Sequence, residues 1–211
     1  MALATSSISK HQAMTNILII GAHGEIARVA TRLLLERTDA TLTLYLRRAR
    51  RLAALASNPR IRLVEADATD EAALEAAMAG QDIVYANLAG DMARQARAIV
   101  ASMKAARVRR LIFISSMGIY DEVPGQRYRP VLDPYRDSAA IVEGSGLDYT
   151  IIRPAWLNDE DEIAYGTTAK GEPFSHPSAT VSRKSVSDLI VRLVTEPGYG
   201  VGESLGIHGT N

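Results

Sequence analysis

The stretch that decides the fold occupies residues 16–27 and reads Asn-Ile-Leu-Ile-Ile-Gly-Ala-His-Gly-Glu-Ile-Ala. The apolar run Asn16–Ile20 is typical of a buried strand, and a helical pattern follows the glycines. Gly21 allows a tight turn and Gly24 allows the backbone to approach a pyrophosphate, as in the Gly-x-x-Gly-x-x-Ala form of the dinucleotide loop. Two glycines three apart also occur in ordinary turns. Their position at the first strand–helix junction favours a dinucleotide site.

The start of the helix after this loop has free N–H groups and the positive end of the helix dipole, both of which suit phosphates. We therefore expect a phosphate site formed by Gly21, His23, Gly24, Glu25 and Ile26. His23 is interpreted as a loop residue over the phosphates rather than as a catalyst.

The residues after the second predicted strand indicate which dinucleotide binds. A site specific for NAD usually has an acidic residue there, which holds the ribose 2′-hydroxyl. Residues 47–51 instead read Arg-Arg-Ala-Arg-Arg, with no acid. Arginine pairs well with a 2′-phosphate, so the segment favours NADP over NAD, with Arg47 and Arg48 as the contacts. A solvated basic helix face is an alternative. A nucleic-acid patch is a weaker one, because aromatic and further basic partners are missing.

Short apolar runs alternate with helical patterns along the rest of the chain. This order predicts an α/β fold, a Rossmann-type doubly wound parallel sheet in a single domain over residues 14–211. Residues 157–178 have no strong period and are expected to form substrate-side loops over the cleft. The predicted strands are 16–20, 41–46, 61–65, 83–87, 111–115, 149–152 and 205–208. The first predicted helix follows the glycine loop, and the arginine-rich segment is expected to be helical through Ala56. Further predicted helices span 70–78, include Met92 to Met103, and begin after Asp133 and Ser182, which are interpreted as caps.

Composition excludes several classes of protein. The chain has 211 residues with 24 basic and 24 acidic side chains, a balance that argues against a nucleic-acid partner. It has no cysteine, which excludes disulfides and thiolate ligands and fits a cytoplasmic location. No apolar run is long enough for a membrane span, and the four histidines show no metal-ligand spacing. Residues 1–13 are small and polar, and we interpret them as a flexible leader.

Besides the glycine loop, four segments carry a family resemblance: residues 64–70, 113–116, 145–154 and 181–183. With these segments the chain resembles the atypical short-chain dehydrogenase/reductases, in particular their NmrA-like group of NAD(P)-binding proteins. The resemblance runs from Thr15 to His208 and implies a nicotinamide cofactor at the ends of successive strands.

The resemblance also implies roles for individual residues. The implied contacts are Asp67 and Ala68 with the adenine, Asn87, Leu88 and Ala89 with the ribose, Ser115 and Ser116 beside the nicotinamide, and Pro154, Ala155 and Trp156 over the nicotinamide at the start of the substrate side. Each has a structural alternative. Asp67 can cap a turn, the serines can end a strand with satisfied hydroxyls, and Trp156 can be a core or surface-loop residue.

One helix departs from the family pattern. The family implies Tyr-x-x-x-Lys aligned by a glutamate one turn further on, and the matching residues here are Tyr135, Ala139 and Glu143. In the family, the lysine lowers the pKa of the tyrosine and holds the nicotinamide ribose. A tyrosine without such help has a pKa of about 10 and is a poor base near neutral pH. The catalytic candidates are Tyr135, Ser115 and Ser116. The lysine that assists the tyrosine in the family is absent from this sequence.

Two functions from different classes are consistent with these residues. The first is an NAD(P)H-dependent oxidoreductase acting on a small organic acceptor between Ser116, Tyr135 and Trp156. A flavin or quinone acceptor would need little proton assistance. The second is a non-catalytic NADP-binding protein that senses redox state and regulates a protein partner. The serines and the tyrosine favour the enzyme, whereas the missing lysine favours the sensor.

Overall fold

The computed structural model describes residues 14–210, so the leader predicted at residues 1–13 lies outside the described part. Within residues 14–210, ten strands form two sheets. They are β1 (Asn16–Ile20), β2 (Thr41–Leu46), β3 (Ile61–Glu65), β4 (Ile83–Ala86), β5 (Arg110–Ile114), β6 (Asp148–Pro154), β7 (Trp156–Asn158), β8 (Gly166–Thr168), β9 (Thr180–Ser182) and β10 (Glu203–His208). The main sheet has the order β3-β2-β1-β4-β5-β6-β10-β8, and β7 pairs with β9. Neighbouring strands of the main sheet run parallel, except that β8 is antiparallel to β10.

Five α-helices connect these strands. They are α1 (Glu25–Arg37), α2 (Glu71–Met78), α3 (Met92–Ala105), α4 (Asp133–Glu143) and α5 (Arg183–Thr195). The side chains of Asp70, Asp91 and Ser182 accept a backbone N–H at the starts of α2, α3 and α5. Helix α1 instead follows Gly24 and has no side-chain cap. Its first N–H groups are therefore free to bind an anion.

The main sheet is buried on both faces, because side chains along each strand alternate between two apolar clusters. Ile17 and Ile19 pack with α1 and α5, whereas Leu18 and Ile20 pack with α2, α3 and α4. A parallel sheet with helices on both faces is the doubly wound arrangement, so the predicted Rossmann-type fold is confirmed. The strand order reverses at β1 and β4, and open sheets of this kind bind ligands at the carboxyl ends of the strands beside that reversal.

Three local predictions are wrong. The arginine-rich segment forms a kinked 3-10 helix over Ala49–Leu55 rather than an α-helix. Asp133 is the first residue of α4 rather than its cap, because a 3-10 turn at Pro130–Leu132 leads directly into the helix. Residues 157–178 are not loops throughout, since β8 extends the main sheet and β7 starts a second one. Strands of three residues are too short to show a period of two.

No helix within residues 14–210 is long and apolar enough to cross a membrane.

Candidate cofactor site and acceptor side

A cleft of about 570 Å³ lies at the carboxyl ends of β1 to β4. Predicted cofactor residues lining it are Gly21, His23, Gly24, Arg47, Arg48, Asp67, Ala68, Asn87, Leu88 and Ala89. Residues that the sequence reasoning missed are Ile20, Tyr45, Leu46, Arg51, Ala66 and Gln95. Four separate strand ends thus meet in one cleft, as expected for a dinucleotide site at the reversal point of a doubly wound sheet.

The glycine loop is held against β2 and β4. The N–H of Gly21 donates to the Tyr45 carbonyl at 3.0 Å, and the N–H of Gly24 donates to the Gly21 carbonyl at 2.9 Å. Gly21 has a φ of +76°, and a Cβ there would lie 2.0 Å from the backbone oxygen of Asn87. A Cβ on Gly24 would lie 1.9 Å from the Asn87 Nδ2 atom. Gly21 is therefore required by backbone contact with Asn87, whereas a side chain at position 24 would have to displace the Asn87 amide.

Three guanidinium groups give the cleft a basic wall. Arg47 and Arg48 follow β2 directly, and Arg51 lies on the 3-10 helix after them. All three are exposed, and within the described part of the chain none of them forms an ion pair. Guanidinium groups of this kind match a phosphate dianion in charge and in hydrogen-bond geometry.

Asp67 combines the two roles that the sequence left open. Its Oδ1 atom accepts the N–H of Thr69 at 2.9 Å and the Thr69 hydroxyl at 2.8 Å, so the side chain caps a turn. These two hydrogen bonds, and more weakly the charge of Arg47, hold the pKa of Asp67 below its usual range. The Tyr45 hydroxyl donates to the Asp67 carbonyl at 2.7 Å. Asp67 also lines the cleft, where its carboxylate is the only acidic group.

Two predicted phosphate residues lie beside the cleft rather than in its wall. Ile26 is buried in the core, so it can contribute its backbone N–H only. The Glu25 carboxylate forms an ion pair of 2.5 Å with Arg183, which also pairs with Asp159 at 2.9 Å. Arg183 therefore connects the start of α1 to the segment that follows β7.

The residues predicted for the nicotinamide end lie outside this cleft, at the ends of the next strands along the same edge. Ser115 follows β5, and its N–H donates to the Ile152 carbonyl at 2.8 Å. The Ser115 Oγ atom is buried and has no hydrogen-bond partner among the described residues. The Ser116 hydroxyl donates to the Met117 carbonyl at 3.1 Å, as expected for a satisfied strand end.

The end of β6 carries the residues predicted for the start of the substrate side. Pro154 and Ala155 are buried, whereas 52% of Trp156 is exposed. The guanidinium of Arg129 lies 5.9 Å from the centre of the Trp156 ring. Trp156 is therefore not a core residue and presents an aromatic surface to solvent beside the predicted nicotinamide position.

Helix α4 places Tyr135 and Ala139 on one face, as predicted. Tyr135 is half-buried and packs against the same apolar cluster in which Ala139 is fully buried. Glu143, at the far end of the helix, has other partners. It accepts a hydrogen bond from Tyr120 at 2.7 Å and pairs with Lys170 at 2.6 Å. The glutamate of the family pattern thus orients Tyr120 and Lys170 here, and burial is the main cause of the raised pKa of Tyr120.

Arg153 holds the acceptor-side segments together. Its side chain is fully buried, forms an ion pair with Glu122, and donates to Ser204 Oγ at 3.1 Å and to the Thr168 carbonyl at 3.2 Å. The Glu122 carboxylate also accepts the N–H of Tyr120 at 2.9 Å. These contacts fix the chain around the end of β6.

The comparisons with known proteins agree with this geometry. A family model described as NAD(P)H-binding matches residues 21–197, more than half of the chain, and the chain belongs to this family. A Rossmann-fold NAD(P)-binding family protein from Shigella flexneri is 42% identical, with a TM-score of 0.79 over 94% of this chain and 95% of that one. No curated protein matches the sequence.

Two further solved structures share the fold. A wide-type short-chain dehydrogenase/reductase from Veillonella parvula, in complex with NADP, is 25% identical, with a TM-score of 0.85 over 93% of this chain and 95% of that one. ChuY, an anaerobilin reductase from Escherichia coli O157:H7, is 20% identical, with a TM-score of 0.79 over 93% and 98%, and shows the fold alone. The resemblance to the atypical short-chain dehydrogenase/reductases is confirmed, and the NmrA-like grouping stays a prediction.

Residues 14–210 contain no cluster of three or more His, Cys, Asp or Glu side chains that could hold a metal.

Proposed function

We propose that the protein is an NADPH-dependent oxidoreductase that transfers a hydride to a small organic acceptor. The observation that carries this proposal is the cleft in which the glycine loop, the arginines after β2 and Asn87 meet. A dinucleotide fits this cleft because glycines stand where a Cβ would collide with Asn87, and because α1 starts without a side-chain cap.

The basic wall supports NADPH as the cofactor. Arg47, Arg48 and Arg51 line the cleft without an acidic partner in the described part of the chain, and a 2′-phosphate would supply the missing negative charge. An NAD site would instead need an acid after β2 to hold the 2′-hydroxyl. The Veillonella protein, which is 25% identical, was solved with NADP, and this supports the same choice.

The acceptor would bind between Ser116, Tyr135 and Trp156. When bound, the reduced nicotinamide supplies the hydride. The buried Oγ atom of Ser115 has no partner in the described residues and is free to donate a hydrogen bond at the nicotinamide end. The exposed Trp156 ring offers a flat apolar wall for an aromatic acceptor. Because Ala139 replaces the family lysine, the acceptor we favour is a flavin or quinone, which needs little proton assistance.

The test is oxidation of NADPH by the purified full chain with matched sets of flavins, quinones and carbonyl compounds. We expect turnover with a flavin or quinone and much slower turnover with carbonyls. The Gly24→Val variant, assayed alongside, controls for direct chemical reduction of the acceptor. Turnover that is equal in this variant and in the unaltered protein would contradict the proposal.

The second candidate is a non-catalytic NADP-binding sensor that acts on a protein partner. The burial of Ala139 at the lysine position favours it, since that position carries no charge. NADPH binding without turnover of any acceptor class would make it the better assignment. A cytoplasmic location belongs to either proposal, and the absence of cysteine supports it.

A further inference from the structure

His23 stands in the glycine loop at a position where its side chain shares the cleft with the basic wall. The loop backbone is held by hydrogen bonds from Gly21 and Ala22 to the Tyr45 carbonyl, so the position of His23 relative to the end of β2 is set by the fold. His23 and Arg51 line the same cleft from opposite elements, the glycine loop and the 3-10 helix. His23 therefore lines the same cleft as the arginines that follow β2, where the 2′ position of the ribose would lie in a dinucleotide site of this kind.

The groups around His23 disfavour its protonation in the free protein. Burial lowers the pKa of His23, and the charges of Arg51 and of Arg28 on α1 lower it further. The other charged groups that line the cleft are Arg47, Arg48 and Asp67. Glu25, the first residue of α1 and two residues after His23, is paired with Arg183.

We propose that His23 is a specificity-determining residue of the cofactor site, and that binding of the 2′-phosphate of NADPH makes it take up a proton. This inference rests on the proposed function, since it requires the cleft to hold a nicotinamide dinucleotide. A phosphate monoester beside the arginines reverses the local charge, and an opposite charge within about 4–6 Å favours the protonated imidazole. The imidazolium then donates a charge-assisted hydrogen bond to the phosphate. This bond is stronger than a hydrogen bond from the neutral imidazole.

The sign of the pH dependence follows from this change. The imidazole pKa is lowered in the free protein and raised in the complex, so protonation and NADPH binding favour each other. The contribution of His23 to the affinity for NADPH is largest below the pKa of the imidazole in the free protein, whereas protonation of the 2′-phosphate, with a second pKa of about 6, acts in the opposite direction and is measured separately in His23→Asn. The contribution of His23 falls as the pH rises towards the pKa of the complex, by at most about tenfold per pH unit for one proton. NADH lacks the 2′-phosphate, so its affinity changes far less over the same range.

The experiment is calorimetric titration of the full chain with NADPH and with NADH, in buffers of different ionisation enthalpy and at several pH values. The buffer dependence gives the number of protons taken up on binding. We expect uptake with NADPH only, and we expect His23→Asn to abolish it and to reduce the preference for NADPH at mildly acidic pH. His176→Asn is the matched control, because His176 is exposed on the far segment after β8 and should leave proton uptake unchanged.

Three outcomes would overturn the inference. Equal proton uptake with NADPH and NADH would assign the histidine to the pyrophosphate that both cofactors share. Uptake that persists in His23→Asn would assign the proton to another group of the protein, because a phosphate that binds beside arginines releases protons rather than taking them up. The titration of the His23 imidazole can also be followed by NMR in the unaltered protein, without a variant. A pKa of His23 that does not change when NADPH binds would contradict the inference. Failure of the proposed function has a different signature, namely no tighter binding of NADPH than of NADH at any pH, or no turnover.

Discussion

Asn87 and Gly24 are in such close contact that a Cβ on Gly24 would lie 1.9 Å from the Nδ2 atom of Asn87. Asn87 follows β4, and its N–H donates to the Ile20 carbonyl at 2.9 Å, so its backbone is fixed by the sheet. The end of β4 thus fits into the glycine loop before any cofactor binds. Only the amide end of Asn87 is free to move away from a larger residue at position 24.

The first prediction concerns this contact. Gly24→Val should abolish dinucleotide binding, because the branched side chain blocks the pyrophosphate and displaces the Asn87 amide. We expect the protein to stay folded with a modestly lower melting temperature, since a flexible side chain can move. Calorimetry and a thermal melt measure the two effects. Gly144→Ala is the control, because a Cβ there meets only the Ala140 carbonyl at 3.4 Å, outside the cleft.

The second prediction concerns the choice of cofactor. Each charge-assisted hydrogen bond to a phosphate contributes about 1.5–3 kcal/mol, or roughly 10- to 100-fold in affinity. Arg47→Ala/Arg48→Ala should therefore weaken NADPH binding strongly and leave NADH binding nearly unchanged, and Arg51→Ala should act in the same direction. Arg50→Ala is the matched control, because Arg50 is exposed in the same segment and does not line the cleft. Equal affinities of the unaltered protein for NADPH and NADH would contradict the assignment.

Local patterns predicted some parts of this site and not others, for identifiable reasons. The strands β1, β2 and β3 were predicted to the residue, because their apolar and β-branched residues are bounded by a glycine, by charged residues or by a turn. Arg51 was missed because its approach to the cleft depends on the kinked 3-10 geometry after β2, which the residue pattern of that segment does not show. The pairing of Glu143 with Lys170 could not be predicted from the sequence either, because Lys170 lies in a loop 27 residues further along the chain.

The third prediction concerns stability on the acceptor side. Arg153→Met leaves the buried Glu122 carboxylate without its counter-ion, and losing one partner of a buried ion pair costs about 3–5 kcal/mol. Glu122→Gln should also be strongly destabilising, because it leaves the buried guanidinium without its counter-ion and a single amide oxygen cannot accept from both sets of donors, the N–H of Tyr120 on one side and Arg153 with the N–H of Gly118 on the other. Urea unfolding measures both. Arg109→Met is the control, since it breaks the exposed pair with Asp148 and should change stability far less. A similar loss at Arg109 and Arg153 would contradict this account.

The fourth prediction uses the fact that Trp156 is the single tryptophan of the chain. If the acceptor stacks on its ring, acceptor binding should quench the tryptophan fluorescence of the NADPH-loaded protein. Trp156→Ala should raise the KM for the acceptor more than the Kd for NADPH, because the ring lies outside the cleft proposed for the adenine and phosphate end of the cofactor. An unchanged KM would place the acceptor elsewhere.

The last prediction concerns Ala139, which lies one turn from Tyr135 on the same face of α4 and is fully buried. Ala139→Lys restores the family's lysine but places a long side chain in a packed apolar cluster. We therefore expect a less stable protein, because the cluster must open and the ammonium must reach the cleft. Where it does so, it lies near the phenol, and a positive charge within about 4–6 Å favours the phenolate.

The expected consequence is a gain in NADPH oxidation with carbonyl acceptors near neutral pH, seen as a pH–rate profile displaced to lower pH. Ala139→Met is the matched control, because it adds a side chain of similar length without the charge and reports the packing cost alone. Tyr135→Phe in the Ala139→Lys background should remove the gain. If the profiles of the Lys, Met and double variants coincide, Tyr135 does not act as a proton donor or acceptor. The non-catalytic sensor would then be the better assignment, since α4 would support the fold without taking part in chemistry.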